Sequence, residues 1–188
     1  MQYSLCKKRY QNKKLSENEG KMTFDVIFDK LSKDKDLDQC ISKKIQFSCN
    51  FFVVDKDHFK SIIEILKKDF AFDYLVDIVA VHWPERKEKF DIIYNLYSMQ
   101  HNLRIFVKVK SVDENIETLT DIYKGANFLE REQFDMVGIN FIGHPDLRRI
   151  LMPDFFDKHP LRKDYDLKDR SWFNDVDEQG LGIKYKGL

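Results

Sequence analysis

Two short runs hold most of the side chains able to bind a metal ion or move a proton. His144-Pro145-Asp146-Leu147-Arg148-Arg149 is echoed by His159-Pro160-Leu161-Arg162-Lys163, with Asp164 following. His144, Asp146, His159 and Asp164 are the credible ligand or acid–base set. Their spacing does not match H-E-x-x-H, in which two histidines one helical turn apart share a metal and the glutamate between them acts as base. Both histidines precede proline, which locks its own φ and pushes the residue before it toward an extended conformation. That geometry favours hydrogen bonding in a turn over ligation. No G-x-S-x-G elbow is present, and no serine or cysteine stands beside a histidine in a nucleophile's context. A P-loop and a dinucleotide fingerprint both need clustered glycines, and the chain has only 7 glycines without either pattern. The expectation is a chain with no catalytic residue, no metal site and no cofactor of its own.

The remaining chemistry in these runs is that of recognition. Arg148, Arg149 and Arg162 carry guanidinium groups that pair bidentately with carboxylates and keep their charge. Arginine is enriched at binding hot spots. The pairs Arg148-Arg149 and Arg162-Lys163 stand among aspartates, so each has local anions to neutralise it. With 32 cations against 32 anions, the chain also lacks the basic excess of a nucleic-acid binder. Both arguments exclude a nucleic-acid partner. A net charge of zero favours association over life as a free monomer.

The two runs belong to a longer stretch, Glu130 to Asp164, which holds three of the 4 prolines and two of the 5 histidines. From about Ile139 onward neither helical nor strand periodicity persists, yet Phe, Leu and Ile keep recurring. A long irregular segment within a compact domain is uncommon unless it is functional or supported from outside. One reading is a rigid polar ribbon laid on a partner protein; the other is a surface loop packed on its own domain.

The elements that must position this stretch are legible upstream. Met22 to Leu37 reads as a first helix capped by Thr23, with Phe24, Ile27, Phe28 and Leu31 at helical spacing. Lys43 to Val54 reads as strand material folded at Cys49-Asn50. Asp57 to Phe70 is the clearest helix: Phe59, Ile62, Ile63, Leu66 and Phe70 form one apolar stripe, and Asp55 or Asp57 is placed to cap it. Phe72 to His82, Phe90 to Met99 and Leu103 to Val109 read as strands joined by turns at Trp83 to Lys89 and at Gln100-His101-Asn102. The last of them alternates, with Leu103, Ile105, Val107 and Val109 inward and Arg104, Phe106, Lys108 and Lys110 outward. Short turns imply an antiparallel meander. A short helix is expected over Asp113 to Tyr123. Another follows, capped by Asn127, running to about Val137 and ended by Gly138. Its charged face comprises Glu130, Arg131, Glu132 and Asp135, and its apolar anchors are Leu129, Phe134, Met136 and Val137. The fold class is therefore α+β: a two-layer antiparallel sheet packed with helices, followed by a long irregular C-terminal extension. The expected organisation is a basic arm over residues 1–20, a core domain over 21–138 and an extended partner-binding segment over 139–188.

Composition sets further bounds. A chain of 188 residues with 43% apolar residues is long enough for a real core. The 3 cysteines (Cys6, Cys40 and Cys49) are odd in number and widely spaced, which speaks for a reducing compartment and against a disulfide framework. They are also too few for the four thiolates that an iron–sulfur cluster takes as a rule. No apolar run approaches a membrane span. The basic head, with Lys7, Lys8, Arg9, Lys13 and Lys14, reads as a weak targeting remnant or a solvated arm. With Met1 present, synthesis inside an organelle or in a bacterium is expected rather than import.

The stretch as a whole closely resembles the signature of the thirty-kilodalton subunit family of respiratory NADH:quinone oxidoreductase, complex I. That pattern runs E-R-E, two residues, D-[ML]-F-G-I, two residues, then G-H-P-D-L-R-R-[IL]-L, and resumes after a spacer with H-P-L-R-K-D-[YF]. The chain matches it at Glu130, Arg131, Glu132, Asp135, Met136, Gly138, Ile139, Gly143 to Leu151 and His159 to Tyr165. It departs at Val137 where Phe is usual, at Phe128 where Trp is usual and at Asp166 where Pro is common. The resemblance implies a non-catalytic subunit of the hydrophilic arm of proton-pumping NADH:ubiquinone oxidoreductase, docked on the forty-nine-kilodalton-type subunit near the quinone site. It also implies other peripheral-arm subunits as partners, and iron–sulfur clusters and FMN held by neighbouring subunits. On this reading Glu130, Arg131, Glu132, Asp135, His144, Pro145, Asp146, Arg148, Arg149, His159, Pro160, Arg162, Lys163 and Asp164 face the partner. The expected location is the matrix side of the mitochondrial inner membrane, or the cytoplasmic side of a bacterial inner membrane. The alternatives are a subunit of a related membrane hydrogenase or formate complex, and a stand-alone metal-dependent domain.

Overall fold

The computed structural model describes residues 22–33, 39–46 and 48–166. In chain order they form α1 (Phe24–Leu31), β1 (Ile41–Gln46), β2 (Cys49–Val54), α2 (Phe59–Phe70), β3 (Tyr74–His82), β4 (Phe90–Ser98), β5 (Leu103–Ser111), β6 (Asn115–Glu117), α3 (Ala126–Val137) and β7 (Asn140–Ile142). Five strands hydrogen-bond in the order β1-β2-β5-β4-β3, and β6 pairs with β7 separately. The α+β class expected from the sequence is the one observed. The basic arm, Cys6, Phe47 and the tail beyond residue 166 lie outside the described residues.

The chain divides into two compact units. One comprises the described residues up to Tyr74 together with Asn95–Val107. In it, the Thr23 hydroxyl accepts the Val26 N–H at 3.4 Å, the cap expected for α1. Phe24, Ile27 and Leu31 are buried, and the Phe24 ring stacks on Phe52 with centroids 4.5 Å apart. The helix ends at Leu31, short of the expected Leu37, and residues 34–38 lie outside the described residues. β1 and β2 pair antiparallel with Gln46 opposite Cys49 and Ile45 opposite Asn50, so Cys49-Asn50 belongs to the strand and is not the turn. Ser48, just before β2, has a left-handed backbone at φ 61°. The stripe predicted for α2 is buried in full. Its cap, however, is His58 with no side-chain bond; Asp55 contributes only its backbone carbonyl, which accepts the His58 N–H at 3.2 Å.

The other unit comprises Leu75–Tyr94 and the chain from Lys108 onward. The turn predicted between β3 and β4 is present, closed by the Trp83 N–H donating to the Lys89 carbonyl. Buried Asp91 gathers Trp83 Nε1 at 3.1 Å, Lys108 at 2.7 Å and Arg86 at 3.4 Å. The helix expected over Asp113 to Tyr123 is absent. Asn115–Glu117 is instead the strand β6, paired in parallel with β7, with Ile116 opposite Phe141 and both buried. α3 begins after Gly125, earlier than a cap at Asn127 would give, and ends at Gly138 as expected. The described part of the C-terminal segment, residues 139–166, belongs to this same unit.

Candidate functional site

The buried stripe of α3 is half polar. Ala126, Glu130, Gln133 and Val137 recur at helical spacing and are all buried. Each polar member serves a backbone group that would otherwise be orphaned. Gln133 accepts the Ala80 N–H of β3 at 2.9 Å, on the outermost strand of the sheet. Glu130, with no exposure, accepts the Leu119 N–H at 2.7 Å and the Thr118 hydroxyl. Glu130 thereby organises the irregular segment that follows β6, where sequence periodicity promised a helix.

The next charges along α3 hold the chain beyond β7. The Asp135 carboxylate is fully buried. One oxygen accepts three consecutive backbone N–H groups, from Ile150 at 3.0 Å, Leu151 at 2.7 Å and Met152 at 2.8 Å. The other pairs with the Arg149 guanidinium at 2.7 Å. Burial pushes the Asp135 carboxyl upward, but these four donors outweigh it and leave its pKa below the ordinary value. Arg131 completes the clamp from the opposite sign: it donates to the carbonyls of Arg148 at 3.1 Å and Arg149 at 3.2 Å. Two charges of one helix thus satisfy donors and acceptors of one irregular loop.

The two histidine–proline runs fasten the strap at either end of the same helix. His144 Nδ1 accepts the Asp146 N–H at 3.0 Å, so its Nε2 carries the proton and donates to the Asn127 carbonyl at 3.2 Å. His159 Nδ1 donates to the Asp135 carbonyl at 3.0 Å. The Leu161 N–H then donates to the Met136 carbonyl. Gly138 is required here twice over: its φ is 82°, and a Cβ on it would come within 2.6 Å of the His159 ring. Further on, Arg162 pairs with Glu114 at 2.7 Å and so ties the strap to the approach to β6. That hydrogen bond is the main reason the Glu114 pKa lies below its ordinary value.

This geometry corrects the expectation of a partner-facing charged helix. Glu130, Arg131 and Asp135 point into their own chain, as does Arg149; Arg162 is three-quarters buried on Glu114. His144, His159 and Pro160 are half-buried along α3. Of the residues expected to face a partner, Glu132, Pro145, Asp146, Arg148, Lys163 and Asp164 are exposed. Arg148 pairs with the neighbouring exposed Asp146, at 3.0 Å, a contact worth little in water. The same strap exposes apolar side chains that charge-based reasoning passed over: Leu151 at 62%, Leu161 at 60%, Phe155 at 47% and Ile150 at 39%. Their signal in the sequence was apolar residues recurring where no element could bury them. The set His144, Asp146, His159 and Asp164 is dispersed along the strap, and among the described residues no group of three or more His, Cys, Asp or Glu is arranged to hold a metal ion.

These features define a class: an α+β protein carrying a charge-clamped strap along one helix, with apolar side chains turned outward from it. The family model described as "Respiratory-chain NADH dehydrogenase, 30 Kd subunit" matches residues 52–171, and the chain belongs to that family. It is similar to the C subunit of NADH-quinone oxidoreductase from Phenylobacterium zucineum, with 47% identity over 104 residues, 55% of this chain and 50% of that protein. It is also similar to the C/D subunit from Bdellovibrio bacteriovorus, with 41% identity over 114 residues, 60% of this chain and 20% of that protein. The chain thus spans about half the length of the first relative, and the match is a fifth of the C/D protein. Among solved structures, a trypsin-resistant fragment (1–134) of Nqo5 aligns with a TM-score of 0.56 and 29% identity, covering 64% of this chain and 99% of the fragment.

Proposed function

We propose that this chain is a structural subunit of the peripheral arm of NADH:quinone oxidoreductase, and that its strap seats the forty-nine-kilodalton-type subunit near the quinone site. It carries no electron itself; clusters and flavin belong to its neighbours. The single observation behind this reading is the contrast between a backbone fixed by buried charges and the apolar side chains that backbone holds in water. Exposed Leu151, Leu161, Phe155 and Ile150 cost solubility unless another protein covers them. Arg148 and Lys163 at the margin fit a partner groove rimmed with carboxylates. Family membership supports the complex. No described helix is long and apolar enough to cross a membrane, which agrees with peripheral attachment. The matrix face of a mitochondrion is the proposed location, with the cytoplasmic face of a bacterial inner membrane as its counterpart.

The test is Leu151→Ser combined with Leu161→Ser in the full chain. Covering the exposed three-fifths of each leucine contributes about 1–2 kcal/mol of apolar burial, so the pair weakens association by at least about twentyfold. The thermal melt stays at the wild-type value because both side chains are exposed. Co-purification of the forty-nine-kilodalton-type subunit at wild-type yield refutes the assignment of the strap as the seat.

A further inference from the structure

The far end of the strap is left incompletely tied. β3 ends at His82, whose ring is 3% exposed and stacks on Phe90 with centroids 4.9 Å apart. The Arg162 guanidinium lies over the same Phe90 ring, 5.4 Å from its centroid. Its Nη2 is committed to Glu114, and its Nε is enclosed. His82 Nδ1 is enclosed as well, and among the described residues neither nitrogen has a hydrogen-bond partner. Both nitrogens lie near one atom. Asp164 Oδ1 lies 3.7 Å from His82 Nδ1 and 4.0 Å from Arg162 Nε, in each case too far for a hydrogen bond. Asp164 itself is 60% exposed. Two buried nitrogens therefore lie within 4.0 Å of one oxygen of a solvated carboxylate, each roughly 1 Å beyond the N···O distance a hydrogen bond adopts.

We infer that Asp164 is a latch: its carboxylate closes onto His82 Nδ1 and Arg162 Nε when the partner covers the strap, fixing the strap's last turn in the docked geometry. The inference rests on the docking role proposed above. Water solvates the open carboxylate and competes with the two nitrogens. Covering the strap removes that competition and strengthens the charge-assisted bonds. Burial holds the His82 pKa below its ordinary value in the open chain. Asp164 and Glu114 act to raise it, and Arg162 and Lys89 to lower it. Closure brings Asp164 nearer, so His82 gains affinity for a proton as the partner binds.

The experiment is NMR titration of His82 in the full chain, alone and with the co-expressed forty-nine-kilodalton-type subunit, for the wild type and Asp164→Asn. Asp164 is exposed, so the variant folds. The expected result is an upward move of the His82 midpoint on binding, absent in Asp164→Asn, with partner affinity about tenfold weaker in the variant. If the wild-type chain binds its partner and the His82 midpoint does not move, the latch is wrong while the docking role stands. If the wild-type chain does not bind that subunit, both fall.

Discussion

Replacing Asp135 by asparagine keeps the shape of the side chain and removes its charge. The amide oxygen can still accept the N–H groups of Ile150, Leu151 and Met152, but those bonds lose their charge assistance, roughly half their strength. The amide nitrogen then faces the Arg149 guanidinium, donor against donor. Arg149 keeps a bond to the Lys158 carbonyl at 3.2 Å and a contact with the Phe156 ring, yet its 13%-exposed cation has lost its counter-charge. Breaking one side of a buried pair costs about 3–5 kcal/mol, and three weakened backbone bonds fall within that range. The expected loss at neutral pH is therefore about 3–4 kcal/mol, a fall in Tm on the order of 10 °C for a chain of this size.

The pH dependence gives the prediction its sharper edge. Asp135 has a folded pKa below its unfolded one. Its contribution is fully present above the unfolded carboxylate value, near 3.9, and is lost as pH falls through the folded value. Wild type and variant should therefore differ most in urea midpoint above about pH 4 and converge below it. Amide exchange localises the effect: Ile150, Leu151 and Met152 lose protection first. Equal urea midpoints at pH 7, with those three amides still protected in the variant, would refute the clamp.

Three further outcomes follow from single contacts. Gly138→Ala destabilises by about 1–3 kcal/mol, from a positive φ and a displaced His159 ring, and the His159 ring resonances shift in NMR. Ala71→Gly stabilises by up to about 1 kcal/mol in urea titration, since Ala71 ends α2 at φ 53°, where glycine bears no Cβ penalty. Glu130→Gln leaves one amide oxygen for the Leu119 N–H but presents N–H groups to its surroundings. It lowers the stability read from urea titration by about 1–3 kcal/mol and speeds exchange at the Leu119 amide.

What the sequence made legible was whatever side-chain period could carry. The α2 stripe from Phe59 to Phe70 and the alternation of Ile105, Val107 and Val109 in β5 are each long enough to declare a period, and each is buried as read. β6 is not, because Asn115–Glu117 is a very short strand and owes its conformation to Asn140–Ile142, on the far side of α3 in the chain. The spacing of Ile116, Leu119 and Ile122 then mimics a helix turn. The site was half legible. The stretch itself, its two histidine–proline runs and the role of Gly138 all stood out. The direction of its charges did not, since an ionised side chain is by default a surface group. The partners of Glu130 and Asp135 are mostly backbone N–H groups, which every residue but proline possesses and no sequence pattern marks.

The use of buried charge follows from the shape of the strap. A regular element pairs its own backbone, so an apolar face suffices to hold it down. Ile150, Leu151 and Met152 lie outside any helix or strand, and their N–H groups would be orphaned against an apolar helix face at about 1–3 kcal/mol each. One carboxylate can accept all three, and its own burial is offset by those three N–H groups together with the Arg149 guanidinium on its other oxygen. A regular strand laid along α3 would need neither charge, but it would alternate its side chains between helix and solvent. The irregular loop instead leaves Ile150 and Leu151, two neighbours in sequence, both exposed. Consecutive apolar residues aimed away from their own chain are what a partner's groove can bury. The charges inside the clamp and the leucines outside it are therefore two sides of one arrangement, and a variant that loses the first should lose the geometry of the second.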